Sequence, residues 1–192
     1  MSLALAAPSA ASIDRLRSGE ASLAIQVALV TGTALLTAAL AQFELRLYLW
    51  EIPLTLQSVA VYSAGLFLGA RNGALAMGLY LALGLLFPFY AGGGTGLEHL
   101  AGASMGYLVA FPAVAWIAGA VTKADRGLGR IVLGIVAGSV TLFASGVVGL
   151  HLVAGLDWSE ALVNGWLRFV PWDLTKIALV ASIYAGARRA TR

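Results

Sequence analysis

An acid and an amine near the end of the chain have a spacing that favours ligand binding inside a membrane. Asp173 and Lys176 share one face of a helix, because residues three apart are neighbours on a helical surface. The helix dipole favours the anion Asp173 in the first turn and gives Lys176 no such support. Two interpretations follow: a structural pair that reaches the membrane interface, or a binding site in which Lys176 receives an anionic ligand.

Two further features have both a structural and a ligand-binding interpretation. The amide of Gln57 lies early in an apolar stretch, where an unpaired polar group is costly, so it bonds either a neighbouring helix or a ligand. The run AGGGTG at 91–96 is either a flexible loop tip or a backbone surface that a small ligand can approach closely.

Residues suited to catalysis are few, and we predict no catalytic residue, no metal and no cofactor. Cys is absent, and the two histidines, His99 and His151, do not by themselves complete a catalytic zinc site. The string GASMG at 102–106 matches GxSxG, but that motif requires a strand before its helix. An intramembrane serine hydrolase using Ser104 and a histidine stays open as an alternative. The phosphate-binding string GxxxxGK[ST] is also absent, so any ATP is used by another polypeptide.

The composition places the elements that carry these residues in a membrane. Of 192 residues, 60% are hydrophobic and 11% charged, against about 25% charged in a soluble domain. This excludes a soluble enzyme, a disordered chain and a nucleic-acid binder that depends on phosphate contacts. The remaining class is a multi-pass protein of the lipid bilayer.

Charge-free stretches define the predicted spans. Five of them reach the ~18 residues that a membrane-crossing helix requires: 21–43, 52–70, 72–97, 99–122 and 131–156. The sixth, 177–187, is too short unless its helix begins near Pro171, since proline is favoured in the first turn. We predict an all-α integral membrane domain of six transmembrane helices over 21–192, preceded by a cytoplasmic tail at 1–20.

The basic residues predict the orientation. Of the twelve Lys and Arg residues, three fall on one predicted side, Arg46, Arg168 and Lys176, and nine on the side of the termini. The positive-inside rule therefore predicts that both termini are cytoplasmic. The irregular segments 43–55 and 88–104 and a short interfacial helix after Asp157 then face outward. Asp157 and Glu160 have the spacing of a capping box.

Small residues at four-residue spacing let helices approach closely. In the first span they form two pairs, Ala24 with Ala28 and Ala34 with Ala38. Packing within the bundle is one explanation, and a flat surface for a second membrane protein is the other.

Three blocks of the chain resemble the BioY family, the biotin-binding membrane subunits of energy-coupling-factor (ECF) transporters. IPLTLQ at 52–57 is similar to the family's VPITLQ-like segment. FYAGGGTGL at 89–97, followed by GASMGY at 102–107, resembles its FAGGxGG and GPTGGY stretches, and PWDLTK at 171–176 resembles its PGDLLK stretch. The sequence departs from the pattern at Ala103, Ser104 and Met105, which replace Pro-Thr-Gly, and at Trp172, which replaces Gly.

The resemblance implies an ECF S-component-like bundle in the cell membrane that captures biotin from outside and has no chemistry of its own. Lys176 matches the family's lysine, which we assign to the biotin carboxylate, and Asp173 its aspartate, assigned to a ureido N–H. The remaining predicted ligand-binding residues match the family's loops or, for the two tyrosines, are added as apolar walls: Thr55, Gln57, Gly92, Gly93, Tyr90 and Tyr107.

The resemblance also implies partners. They are an ECF transmembrane coupling protein, docked on the alanine pairs of the first span, and two ABC ATPases that alone use ATP. A solitary or homodimeric biotin transporter without these partners is the alternative. A purely structural membrane scaffold would bind no biotin.

Overall fold

The computed structural model describes Arg17 and residues 20–45 and 53–190. Most of the predicted tail at 1–20 and the cation Arg46 lie outside these residues. The described part contains six long helices, a two-stranded hairpin and two short helices. The predicted six-helix membrane architecture is confirmed.

The first helix, α1, spans Leu23–Ala41 and begins at the N-cap Ser22, whose side chain accepts a hydrogen bond from the backbone N–H of Ile25. Such a cap satisfies one of the free N–H groups of the first turn. Its buried side consists of Ala34, Thr37, Ala38 and Ala41, which pack on the rest of the bundle.

The predicted docking surface on α1 needs a correction. Ala24 and Ala28 are exposed, whereas Ala34 is 0% and Ala38 6% exposed and both belong to the core. The second alanine pair therefore serves packing within the bundle and does not face a partner. The physical reason is that Ala34 follows Ala24 by ten residues, which places the two pairs about 80° apart around a helix of 3.6 residues per turn.

After α1, the chain forms a small antiparallel hairpin of β1 (Glu44–Leu45) and β2 (Leu54–Thr55), with Glu44 opposite Thr55. The continuous helical run Gln57–Leu86 follows, and it reverses direction at Gly69, which has φ 79° and ψ 176°. Glycine adopts this positive φ without the clash that a side chain would cause. We name the two halves α2 (57–68) and α3 (70–86).

The reversal at Gly69 is shown by contacts that a straight helix could not make. A Cβ at Gly73 would lie 2.9 Å from the carbonyl oxygen of Ala64, although nine residues of straight helix span about 13.5 Å. The amide of Gln57 likewise donates to the hydroxyl of Tyr80, at 2.5 Å. The two predicted spans on either side of Arg71 are thus an antiparallel pair.

The third span ends earlier than predicted, at Leu86 rather than residue 97. Phe87 is extended, with φ −128° and ψ 158°, because the residue before a proline disfavours the helical conformation, and Pro88 follows. A short 3₁₀ turn at Ala91–Gly93 and the helix α4 (Gly96–Leu100) then precede α5 (Met105–Val121). His99 therefore lies in α4, outside the fourth span.

The second half of the domain consists of α6 (Leu128–Val153), the short helix α7 (Trp158–Gly165), a 3₁₀ turn at Leu167–Phe169, and α8 (Val170–Ala190). The predicted helix start near Pro171 is confirmed. Asp157 is the N-cap of α7, but its side chain makes no cap hydrogen bond, so the capping-box expectation was wrong.

The described ends of the chain meet at one end of the bundle. Arg17 donates to the carbonyl of Thr122 after α5, and Arg188 of α8 donates to the carbonyl of Arg126 in the α5–α6 loop. Within the part of the chain that the structure describes, three helical runs are long and apolar enough to cross a membrane: α1, the run that begins at Gln57, and α6. The protein is a multi-pass membrane protein whose basic connections gather at the end we call the basic end.

Candidate functional site

A cavity of about 70 Å³ lies at the opposite end of the bundle, between α2, α5, α6, α8 and the loops that cover them. Such a volume holds a few ordered water molecules. The polar residues that line it are Thr55, Gln57, Ser58, His99, Ser104 and Lys176; the others are Pro53, Ala91, Tyr107, Leu108, Phe111, Leu142, Phe143 and Phe169. One cation therefore faces a wall that is mostly apolar and aromatic.

The ammonium group of Lys176 joins α8 to the strand β2 and to α2. Its Nζ donates to the carbonyl oxygen of Thr55 at 2.7 Å and to the hydroxyl of Ser58 at 3.1 Å. Both acceptors are neutral groups, so neither of these two hydrogen bonds pairs Lys176 with a carboxylate. An anion entering the cavity can compete for the same donors, because charge-assisted bonds are the stronger ones.

The segment at 53–57 forms the start of a hydrogen-bond chain. The hydroxyl of Thr55 donates to the amide oxygen of Gln57 at 2.9 Å, and the amide nitrogen of Gln57 donates to the hydroxyl of Tyr80. Tyr80 in turn donates to the carbonyl of Phe89 at 3.3 Å. Gln57 is thus paired within the bundle and also lines the cavity, which combines the two interpretations that the sequence left open.

Asp173 occupies a different environment from Lys176. It is 5% exposed, and its two carboxylate oxygens accept hydrogen bonds from Tyr62 of α2, at 2.8 Å, and Ser139 of α6, at 2.5 Å. It is not among the residues that line the cavity. The carboxylate of Asp173 thereby joins α8 to two neighbouring helices, and its bond to a ureido N–H stays a prediction.

The glycine loop at 91–96 lies over α3 and is fastened by Gln42. The side chain of Gln42 donates to the carbonyl of Tyr90 and accepts from the N–H of Gly93, both at 3.1 Å. Gly92 and Gly93 have positive φ, 63° and 72°. Neither lines the cavity, which is reached instead by Ala91.

Tyr90 supports this loop from below. It is fully buried, stacks on His99 at a centroid distance of 5.2 Å and donates from its hydroxyl to the carbonyl of Leu81 at 2.7 Å. Burial raises the pKa of the Tyr90 hydroxyl, which keeps this donor protonated. A Cβ at Gly84 would lie 2.2 Å from the ring, so glycine at that position makes room for Tyr90.

Aromatic rings form one wall of the cavity. Phe143 of α6 contacts Tyr107 edge-on at 6.2 Å, stacks on Trp166 at 6.0 Å and tilts against Phe169 at 6.0 Å between centroids. The hydroxyl of Tyr107 donates to the carbonyl of Gly165 at 2.6 Å. Tyr107 therefore lines the cavity, as predicted, and also fixes the end of α7 above it.

The structure brings together four of the predicted ligand-binding residues, Thr55, Gln57, Tyr107 and Lys176. It places the other four, Tyr90, Gly92, Gly93 and Asp173, around the cavity without lining it. Residues that the sequence interpretation did not assign to the ligand also line it, among them Ser58, His99, Ser104, Phe143 and Phe169. For Ser58 a usable signal existed, since it follows Gln57 directly on the same helix start.

A second, wider cavity of about 410 Å³ lies on the other side of Lys176. It is bounded by the end of α1, the β1–β2 hairpin and Trp172 of α8, and Thr55 and Lys176 line both cavities. The bond between Lys176 and the Thr55 carbonyl is therefore part of the wall that separates them.

The chemistry of this site is that of binding. Among the residues that the structure describes, no group of three or more His, Cys, Asp or Glu side chains is placed to hold a metal ion. A cation bonded to neutral acceptors, within apolar and aromatic walls, suits a small ligand that has an acidic group and an apolar body.

Comparison with known proteins also supports a binding role. The model of the BioY family matches residues 12–192. The biotin transporter BioY of Rhizobium etli is 36% identical over 148 residues, which cover 71% of this chain and 77% of that protein. The probable biotin transporter BioY of Pyrococcus horikoshii is 34% identical over 159 residues, covering 82% and 93% respectively.

A solved structure supports the fold. The S-component for biotin from an ECF-type ABC transporter, solved at 2.1 Å, superimposes with a TM-score of 0.80 over 86% of this chain and 92% of that one, at 21% identity. The relatives are transporters, so the serine-hydrolase alternative built on Ser104 loses its basis. The agreement in sequence over nearly the whole length and in the arrangement of six helices shows that this chain belongs to the BioY family, whose members are transporter subunits and not enzymes.

Proposed function

We propose that the protein binds biotin at the cavity beside Lys176 and is the substrate-capturing subunit of a biotin uptake system. The observation that carries this proposal is the position of Lys176, whose ammonium group lies at the edge of an apolar, aromatic cavity. The names of the relatives support the choice of biotin, which has one carboxylate, an apolar chain and a bicyclic ring.

In the proposed complex, the carboxylate of biotin replaces the Thr55 carbonyl and the Ser58 hydroxyl as the acceptor of the hydrogen bonds that Lys176 donates. The ring system lies against Tyr107, Phe143 and Phe169. Hydrogen-bonding groups of Gln57 and Ser104 face the same space and suit the polar edge of the ureido ring. Because the cavity has a volume of only about 70 Å³, the covering loops have to move outward before biotin enters.

We propose that the cavity opens to the outside of the cell membrane and that the basic end is cytoplasmic. The support is the distribution of cations: Arg71, Lys123, Arg126, Arg130 and Arg188 all lie in the terminal turns of helices or in the α5–α6 loop at the basic end. Positive residues are retained on the cytoplasmic side. Biotin would then be captured from outside, beneath the glycine loop and the β1–β2 hairpin.

We also propose that the chain uses no cofactor and depends on an ECF coupling protein with two ABC ATPases for translocation. The exposed pair Ala24 and Ala28 on α1 is the remaining docking surface from the predicted four alanines, since small exposed residues let another helix approach closely. A solitary or homodimeric transporter would instead accumulate biotin without these partners.

The proposal is tested by titrating the purified protein, reconstituted in lipid nanodiscs, with biotin. We expect saturable binding at one site, with quenching or enhancement of tryptophan fluorescence, because Trp166 stacks on the cavity residue Phe143. Failure of biotin to bind would contradict the proposal. Uptake by vesicles that contain the chain alone, compared with vesicles that also contain the ECF module, decides between coupled and solitary transport.

A further inference from the structure

Arg17 makes an unusual set of contacts at the basic end of the bundle. Its Nη2 donates to the carbonyls of Gly119 and Thr122, both at 3.1 Å, and to the hydroxyl of Thr122 at 2.9 Å. Its Nη1 donates to the carbonyl of Leu66 and lies 3.5 Å from the hydroxyl of Tyr184. One guanidinium thus joins α2, α5 and α8.

These acceptors are the groups that helix ends leave free. The last carbonyls of a helix have no N–H partner within it, and the C-terminal end carries partial negative charge. Leu66 lies in the last turn of α2, and Gly119 and Thr122 lie at the end of α5. A guanidinium has five donors in a planar arrangement, which lets Arg17 satisfy both helix ends together.

The backbone of Arg17 itself also lies at this place. A Cβ at Gly69 would lie 3.1 Å from the carbonyl oxygen of Arg17 and 3.3 Å from its Cα, so Arg17 packs directly on the α2–α3 turn. A Cβ at Gly65 would lie 2.2 Å from the carbonyl of Ala115. The helices α2 and α5 therefore touch through their backbones where Arg17 spans them.

From these contacts we infer that Arg17 is a latch that keeps α2 and α5 together at the basic end. Gln57 and Leu66 are nine residues apart on α2, or about 14 Å along the helix. One end of this short helix lines the ligand cavity and the other is held by Arg17. Any opening of the basic end that separates α2 from α5 has to break the Arg17 bonds.

The latch goes beyond the proposed transport function and does not depend on it. The latch itself can be tested without ligand. The chain contains no cysteine, so spin labels can be placed at two exposed positions, Arg71→Cys at the start of α3 and Lys123→Cys after α5, and their separation measured by pulsed electron paramagnetic resonance.

With Arg17 present, we expect a single narrow distance distribution. Arg17→Ala should broaden it and shift it to longer distances, and Arg17→Lys should give an intermediate result, because an ammonium group cannot bridge both helix ends with a planar fork. The matched control is Arg130→Ala, which removes an exposed arginine from the same end and should leave the distribution unchanged. A distribution in Arg17→Ala equal to that of the parent would overturn the latch.

If Arg17→Ala does not fold, Arg17→Lys and Thr122→Val replace it in a double-mutant cycle of thermal unfolding. Thr122→Val removes the hydroxyl acceptor but keeps the carbonyls, and the two losses should be non-additive, because the residues share one interaction. Additive losses would contradict the latch. A parent that keeps its latch distances but binds no biotin would overturn the proposed function and leave the latch intact.

Discussion

Asp173 and Lys176 lie one turn apart on α8, and their charged groups serve different neighbours. Asp173 accepts hydrogen bonds from Tyr62 and Ser139 inside the bundle. Lys176 donates to Thr55 and Ser58 at the edge of the cavity. The acid thereby fixes α8 against α2 and α6, and the amine one turn further on is held where a ligand can reach it.

Removing the carboxylate of Asp173 should lower stability. In Asp173→Ala, the hydroxyls of Tyr62 and Ser139 lose their acceptor in a buried place, and each unsatisfied group costs about 1–3 kcal/mol. We expect a lower unfolding temperature in detergent. Tyr62→Phe and Ser139→Ala should each give part of this loss.

A double-mutant cycle separates this role from a role in binding. The effects of Asp173→Asn and Ser139→Ala on stability should be coupled, because the two side chains form one hydrogen-bond network. If Asp173→Asn leaves stability unchanged and abolishes biotin binding, then Asp173 contacts the ligand and the role argued from the structure is wrong.

Gln42 should control how easily the glycine loop opens. Gln42→Leu removes the bonds to the Tyr90 carbonyl and the Gly93 N–H, a loss of about 1–2 kcal/mol. Hydrogen exchange of the amides at 91–95 should then be roughly 5- to 30-fold faster. The matched control is Gln26→Leu, at the other end of α1, which should leave exchange in this loop as it is in the parent. Equal exchange in Gln42→Leu and the parent would show that the loop is held by other contacts.

Tyr107 should act through its ring on the ligand and through its hydroxyl on α7. Tyr107→Phe removes the bond to the Gly165 carbonyl and should lower stability by about 0.5–1.5 kcal/mol, while biotin affinity changes little. Tyr107→Ala also removes the ring from the cavity wall and should reduce affinity clearly. If the Phe variant loses as much affinity as the Ala variant, the hydroxyl binds the ligand directly.

The sequence is informative about the membrane spans because charge-free length is a direct requirement of the bilayer. It also indicates the start of α8, since 177–187 alone is too short to span. The end of the third span is predicted eleven residues too late: apolar character continues to residue 97, but the helix stops at Leu86 because Pro88 forces Phe87 into an extended conformation.

The site is predicted less completely than the fold. Sequence motifs indicate Thr55, Gln57 and Lys176, but the direction in which Asp173 faces depends on Tyr62 and Ser139, which are distant in sequence. Similarly, the burial of Ala34 and Ala38 follows from how α1 packs, which the spacing of small residues leaves open. Aromatic residues such as Phe143 and Phe169 belong to no motif. From sequence alone, an aromatic residue that lines a cavity cannot be told from one that faces lipid or the core.

The proposed contact between Lys176 and the carboxylate of biotin can be tested by one set of binding measurements. Biotin and its neutral amide are titrated against the parent, Lys176→Ala and the control Arg168→Ala, which removes an exposed cation of the same end. Loss of a charge-assisted bond costs about 1.5–3 kcal/mol, or roughly 10- to 150-fold in affinity. We expect this loss for biotin with Lys176→Ala, a much smaller loss for the amide, and no change with Arg168→Ala. Equal losses for biotin and the amide, or unchanged biotin binding by Lys176→Ala, would contradict the proposed contact.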